Sequence, residues 1–305
     1  MAMGIPDLKS PSFRLDCSGR TLDLASGPAI MGIMNLTPDS FYDGGAYVGP
    51  HFQPDLDKAL HQAAAMIRAG ASIIDVGGES TRPGSQPVSV DVEIGRTVPF
   101  ISQLRRTTDV LISIDTYKAE VAEQALRAGA GIVNDISGFT FDSKLPEICR
   151  KFRCGVVLMH TPRRPETLRW SRETGSCNSD IVRKVIDALR HSVETARRYG
   201  VEAVIIDPGF GFGKSVGENF RLLAGLDELH TLGCPVLAGV SRKSFLGEAI
   251  RLEGSATPPP SERLTASIAA ETIALLNGAD ILRVHDVEAA AQARSVFLSV
   301  RKACR

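Results

Sequence analysis

A closed (β/α)8 TIM barrel of the α/β class, with a short N-terminal hairpin at its bottom, is the fold this sequence predicts. Three observations lead there. Short β-branched and aliphatic runs recur eight times and end in polar residues: Asn35, Asp75 with Glu79, Asp115, Asn134 with Asp135, His160, Asp207, Arg242 with Lys243, and Arg283 with His285. Segments rich in Ala, Leu, Glu, Gln and Arg separate those runs. A glycine recurs at the step from helix to strand, at Gly70, Gly129, Gly200, Gly233 and Gly278, where a left-handed cap leads into a tight turn.

The strands are expected at 29–34, 72–76, 110–114, 131–134, 155–159, 203–206, 236–240 and 280–284. Most show little alternation, as strands buried on both faces of a parallel sheet do. Helices are expected at 55–69, 89–106, 118–128, 144–151, 180–198, 217–232, 261–277 and 287–300. Eight right-handed βα units close a sheet without edges. The alternative, an open doubly wound sheet, gathers its ligand at one switch point, whereas here every strand end is polar. Residues 13–15 and 21–24 flank a Cys17-Ser18-Gly19-Arg20 turn and read as the hairpin. The chain therefore divides into an extension with hairpin, 1–28, and one barrel domain, 29–301. The glycine-rich loops 36–54 and 77–88 lie where a barrel carries its functional loops. Residues 251–260, with their run of prolines, read as a stiff surface excursion without assigned chemistry.

Composition narrows the function classes. Lys plus Arg and Asp plus Glu number 35 each, so the formal net charge is zero, which argues against a nucleic-acid binder with its basic face. The six cysteines include no CxxC pair and read as reduced thiols of a cytoplasmic protein. No signal peptide is expected, and no apolar stretch reaches the roughly 20 residues of a membrane span.

The strand ends carry the chemistry. A carboxylate after four largely apolar residues, as at Asp115, needs solvation, a hydrogen bond or a partner; capping the following helix is the bland alternative. Asp115, Asn134 and Asp207 together offer acceptors and an amide to the edge of a flat nitrogen heterocycle. Arg242, Lys243, Arg283 and His285 offer donors to phosphate oxygens, with Asn35 placed to share a bridging metal; ion pairs with Asp280, Asp286 and Glu288 are the bland alternative. An oxygen-preferring ion such as Mg²⁺, held mostly by substrate phosphates, suits that donor set. Gly209-Phe210-Gly211-Phe212-Gly213-Lys214 is neither a Walker A loop nor GxGxxG; its expected use is close backbone approach to a planar ligand, with Phe212 against one face.

Taken together, the motifs resemble the dihydropteroate synthase family. The resemblance rests on Met31-Gly32-Ile33-Met34-Asn35-Leu36-Thr37-Pro38-Asp39-Ser40-Phe41-Tyr42-Asp43-Gly44-Gly45, Ile74-Asp75-Val76-Gly77-Gly78-Glu79-Ser80-Thr81-Arg82-Pro83-Gly84, Ser113-Ile114-Asp115-Thr116, Asn134-Asp135, Asp207-Pro208-Gly209, Ser241-Arg242-Lys243-Ser244-Phe245 and Arg283-Val284-His285. It implies a pterin pocket of Asp115, Asn134, Met159, Asp207, Phe212 and Lys243. It implies a diphosphate site of Asn35, Arg82, Arg283 and His285, with Mg²⁺ through Asn35. It implies a 4-aminobenzoate site of Phe41, Thr81, Arg82, Pro83, Phe212 and Ser244, with Asp115, Lys243, Arg283 and His285 carrying catalysis. A homodimer using the outer helices, and competition by sulfonamides, are implied as well. The implied reaction is an SN1-like, Mg²⁺-assisted condensation of 6-hydroxymethyl-7,8-dihydropterin diphosphate with 4-aminobenzoate.

One stretch departs from the family. After Met159-His160 the family carries a glycine before its proline, whereas this chain runs Thr161-Pro162-Arg163-Arg164-Pro165-Glu166. The rival enzyme readings are a pterin-binding methyltransferase and a barrel lyase using Lys243 as a Schiff base; a silent ligand-binding paralogue is the non-enzymatic one. Arg82 in an intact second loop and Ser241-Arg242-Lys243-Ser244 count against the methyltransferase.

Overall fold

Residues 13–37, 55–175 and 180–304 are described by a computed structural model. Strands β1 (Arg14–Cys17) and β2 (Arg20–Asp23) form an antiparallel hairpin. Eight parallel strands follow: β3 (Ala29–Asn35), β4 (Ile73–Gly77), β5 (Leu111–Asp115), β6 (Ile132–Asp135), β7 (Gly155–Met159), β8 (Val204–Asp207), β9 (Leu237–Ala238) and β10 (Ile281–Val284). The helices are α1 (Leu56–Arg68), α2 (Val90–Thr107), α3 (Ala119–Arg127), α4 (Leu145–Phe152), α5 (Ile181–Tyr199), α6 (Val216–Ala224), α7 (Ser244–Ala249), α8 (Leu264–Leu276) and α9 (Val287–Ala303). The strands run in the order β8-β7-β6-β5-β4-β3-β10-β9. A bridge from Ile206 to Val236, with the Ile206 N–H donating to Pro235 O at 2.9 Å, joins the two ends. The ring is a (β/α)8 barrel.

Period-two alternation sorts each strand into two faces. Outward residues such as Ile30, Ile74, Ile112, Val133, Val156, Ile206 and Leu282 pack under the helices. Inward residues Met31, Ile73, Leu111, Ile132, Val157, Ile205, Leu237 and Ile281 share one apolar layer with Cys17, Leu22 and Leu24 of the hairpin. The hairpin therefore plugs the bottom, as expected. It can approach because Gly131 and Gly155 lack a Cβ: one there would lie 2.9 Å from Cys17 O and 2.7 Å from Cys17 Sγ, respectively. Two residues further along, the same inward face turns polar, with Asp75, Ser113, Asn134, Asp207 and Arg283. The barrel is oily below and charged above.

The five expected junction glycines all adopt positive φ, from 71° at Gly233 to 113° at Gly129. Three boundaries differ from the sequence reading. The strand expected at 236–240 shortens to β9, and the helix expected at 217–232 breaks at Gly225 into α6 and a 3-10 turn, Leu226–Leu232. Gly225 sits at φ −104°, ψ 29°, outside the helical basin, which interrupts a periodicity that otherwise runs on. Helix α7 was not anticipated; six residues are too few to show a 3.6-residue period. The described cysteines Cys17, Cys149, Cys154, Cys234 and Cys304 are free thiols.

Candidate active site

The upper mouth of the barrel opens into a cavity of about 300 Å³. Its walls include Asn35, Thr81, Arg82, Pro83, Asp115, Phe212, Lys243, Ser244, Arg283 and His285. Residues drawn from six different βα units of the sequence thus meet in one place.

At its floor Arg283 bridges two carboxylates. Its Nε donates to Asp75 Oδ2 at 2.6 Å and its Nη2 to Asp115 Oδ2 at 2.6 Å. Asn134 Nδ2 donates to the same Asp75 oxygen at 2.9 Å. The remaining oxygens, Asp75 Oδ1 and Asp115 Oδ1, are buried and take no hydrogen bond. Burial raises the Asp115 pKa to about 7; Arg283 pulls it down and Asp75 pushes it up. Burial would discharge Arg283, but Asp75 and Asp115 hold it firmly protonated. Asp115 does not cap α3: the N-cap Lys118 makes no side-chain cap, and the Ala119 N–H donates to Asp142 instead.

Lys243 stands over the Phe212 ring, its Nζ 4.4 Å from the centroid. Burial lowers its pKa to about 8, with Arg283 adding to the fall and Asp207 and Asp115 opposing it. Asp207 is buried and accepts the Gly209 N–H at 2.7 Å. Met159 packs with Phe212, Tyr117, Ile136 and Leu168 in a small apolar cluster beneath the rim. The His285 Nδ1 lies 3.3 Å from Ser241 Oγ, and burial and Arg283 lower its pKa to about 3. His285 is therefore a neutral donor or acceptor at physiological pH, not a cation.

The bland reading of the basic cluster holds for one member. Arg242 gives Nε and Nη2 to Asp286 at 2.9 and 2.6 Å while sitting at φ 57°. Arg242 still lines the cavity, with its guanidinium held by Asp286. Asp280, by contrast, pairs with His230 at 2.9 Å.

The glycine run 209–213 closes on its own lysine. Lys214 is buried, and its ammonium donates to the carbonyls of Gly209 at 2.8 Å, His160 at 3.2 Å and Phe212 at 3.2 Å. Three donors meet three acceptors. A side chain on Gly209 would collide with His160 O. The loop is thereby held where Phe212 faces Lys243.

The loop after β4 is pinned from behind. Glu79 accepts from the Val88 N–H, the Tyr117 hydroxyl and Lys118 Nζ, each at 2.7 Å. Lys118 also bonds Glu93 at 2.7 Å. Thr81, Arg82 and Pro83 hang from this clamp at the cavity wall. Phe41 lies outside the described residues.

Sequence reasoning missed Asp75 as a floor residue, although it ends an apolar run, and it missed Lys214 and Trp170. Among the described residues no group of three or more His, Cys, Asp or Glu side chains is placed to hold a metal. The hard oxygen donor in position is Asn35 Oδ1, 3.2 Å from where a Gly77 Cβ would project. Gly77 thus leaves space at the amide, and the site fits an ion held mainly by substrate oxygens.

The sequence model of the pterin binding enzyme family matches residues 31–285. The chain belongs to the dihydropteroate synthase family. It is 45% identical over 277 residues to the dihydropteroate synthase of Synechocystis sp., covering 90% of this chain and 91% of that one. It is 40% identical over 283 residues to the Escherichia coli K12 enzyme, covering 93% and 95%. The fold of the Xanthomonas albilineans dihydropteroate synthase, solved with 4-aminobenzoic acid, superposes with a TM-score of 0.82 at 39% identity, over 95% of this chain and 98% of that one. The Yersinia pestis enzyme, solved as a sulfonamide drug complex, gives 0.84 at 38% identity, over 95% and 100%. Membership makes the chain a transferase of the dihydropteroate synthase type.

Proposed function

We propose that this cavity condenses 6-hydroxymethyl-7,8-dihydropterin diphosphate with 4-aminobenzoate by an SN1-like, Mg²⁺-assisted substitution. The supporting observation is the pair of buried, unpartnered oxygens, Asp75 Oδ1 and Asp115 Oδ1, beside a protonated Arg283. Buried acceptors without donors carry a desolvation penalty, which the ring N–H groups of a pterin relieve.

The C9–O bond breaks first, and its electron pair leaves with the diphosphate. Positive charge then spreads over the methylene carbon and the pterin, where Asp115 lies. Arg283 and neutral His285 donate to the departing oxygens. Asn35 would hold Mg²⁺, which would supply charge neutralisation on the diphosphate. The amine lone pair of 4-aminobenzoate closes the new C–N bond, and the ammonium proton passes to water or diphosphate. No covalent enzyme intermediate forms. Phe212 and the clamped Thr81-Arg82-Pro83 wall hold the ring against the pterin, and orientation of this kind is worth on the order of 7–11 kcal/mol.

Two further readings accompany the reaction. Sulfonamides compete for the arylamine position, since the Yersinia pestis relative was solved with such a drug. The chain acts as a cytoplasmic homodimer through its outer helices, supported by the exposed Ile273, Leu276, Val296 and Val300 on α8 and α9; sedimentation at two concentrations reads its mass. Among the described residues no helix is long and apolar enough to cross a membrane.

The deciding assay measures diphosphate release with and without 4-aminobenzoate and identifies the product by mass. Amine-dependent release with dihydropteroate is the expected result. Pterin binding by folded protein without dihydropteroate overturns the reading.

A further inference from the structure

The loop from β7 to α5 carries the sequence that departs from the family, and it also carries the single tryptophan of the chain, Trp170. Trp170 lines the cavity alongside Pro83 and Phe212. It keeps 38% of its surface exposed. An indole is a large apolar surface that stabilises a fold by being covered. Left open at the rim of a polar cavity, it offers a flat face to whatever enters.

Both flanks of Trp170 are tied down, each to a different wall. On one side the Gly84 N–H donates to Pro165 O at 3.0 Å, joining this loop to the one that bears Pro83. The neighbouring Arg164 guanidinium stacks 4.4 Å from the Phe141 ring centroid and 5.7 Å from that of Tyr117. Leu168 is buried with Met159 and Phe212. On the other side the buried Ser171 hydroxyl accepts from Asn219 Nδ2 at 3.3 Å, and Asn219 Oδ1 accepts the Gly211 N–H at 2.7 Å. Trp170 O accepts the N–H groups of Glu173 and Thr174 at 2.8 and 3.1 Å. The backbone of Trp170 is thus positioned before any ligand arrives, between the Pro83 wall and the Phe212 wall.

We infer that Trp170 is a specificity-determining residue of the arylamine subsite. Its indole forms the outer wall against which the aromatic amine rests, and it extends past the ring toward the para substituent. The pterin contacts it less, because the acceptors for pterin N–H groups lie on the strand ends, at the floor. This inference rests on the synthase reading above. It also gives the divergent loop a purpose: the Thr161–Thr174 stretch carries a braced aromatic rim.

Steady-state kinetics of Trp170→Ala, Trp170→Leu and Trp170→Phe test it, with melting curves alongside. Loss of a ring contact is expected to raise the 4-aminobenzoate KM about fivefold in the Ala and Leu variants. The KM for dihydropterin diphosphate and the melting temperature stay near wild type, and Phe restores most of the arylamine affinity. Inhibition by an N-heteroaryl sulfonamide weakens more than inhibition by sulfanilamide, whose second ring is absent. Unchanged arylamine KM in all three variants, or an equal rise for both substrates, overturns the role of Trp170. A wild type that folds yet makes no dihydropteroate overturns the synthase reading first, and this inference with it. If the Ala variant does not fold, the Leu and Phe pair carries the same comparison.

Discussion

Arg283 Nη2 lies 2.6 Å from Asp115 Oδ2, joining strands β10 and β5 across the interior of the barrel. The same guanidinium holds Asp75 at 2.6 Å. One cation therefore organises two acids that the ring closure would otherwise set against each other. Of the two, Asp115 lines the cavity beside the charged Arg283, while Asp75 stays fully buried behind them.

Replacing Asp115 by Asn keeps the shape and removes the charge. Turnover is expected to fall by about 10²–10³-fold, the range for loss of one electrostatic stabiliser. Arg283 keeps its bond to Asp75, so melting stays within a few degrees of wild type. Single-turnover rates beside melting curves check this, and a near-native rate removes Asp115 from charge stabilisation.

The pH profile of kcat/KM is expected to be bell-shaped. Asp115 works ionised, and its raised pKa, about 7, places the acid limb near neutrality. Lys243 works protonated, and its lowered pKa, about 8, places the alkaline limb just above. Asp75 is one of the groups that push Asp115 up, so Asp75→Asn moves the acid limb to lower pH. An acid limb that does not move assigns it to another group.

Glu271, on α8, is buried with its Oε2 unpartnered, and burial raises its pKa to about 8. Asp286 adds to the rise and Ser241 opposes it. A carboxyl raised in the fold favours the folded state fully below its unfolded pKa, and that contribution is lost as pH rises through about 8. Glu271→Gln removes the penalty. Its melting temperature, measured from pH 5 to 9, is expected to climb relative to wild type as pH rises. A constant difference across that range refutes the assignment.

Lys214 satisfies three loop carbonyls at once. Lys214→Met strands them and is expected to cost roughly 3 kcal/mol, the upper range for a buried polar group left unpaired. Because the loop carries Phe212 and meets Lys243, the KM for both substrates rises together. Denaturant unfolding and kinetics on the same preparation read both effects.

In the proposed reaction Asn35 would offer the protein oxygen for Mg²⁺. Chelation by EDTA is expected to stop turnover, and added Mg²⁺ to restore it. Asn35→Ala shifts the half-saturating Mg²⁺ concentration upward with little change in melting. Full activity in EDTA excludes the metal from the reaction.

Much of the architecture is legible in the sequence. Apolar runs ending in polar residues mark strands whose ends face a site, because a parallel barrel buries both strand faces and opens only at its rim. The helix-to-strand glycines were readable because a left-handed backbone is costly for any residue with a Cβ. Helix α7 and the break at Gly225 were not, since short elements are set by packing more than by periodicity.

The pairing of side chains was beyond the linear order. Asp75 reads as a polar strand ending without a partner until register sets it beside an arginine 208 residues later. Nothing in sequence separation says that Arg242 turns to Asp286 while its neighbour Lys243 turns to Phe212. The same holds for Trp170, which carries no signal in the linear order and stands at the rim because two loops brace it there. Residue types and strand ends set which groups are available, through burial and periodicity that act locally. Which of them meet is decided by closure of the ring, because strand register and loop contacts across the barrel exist only once the chain has folded.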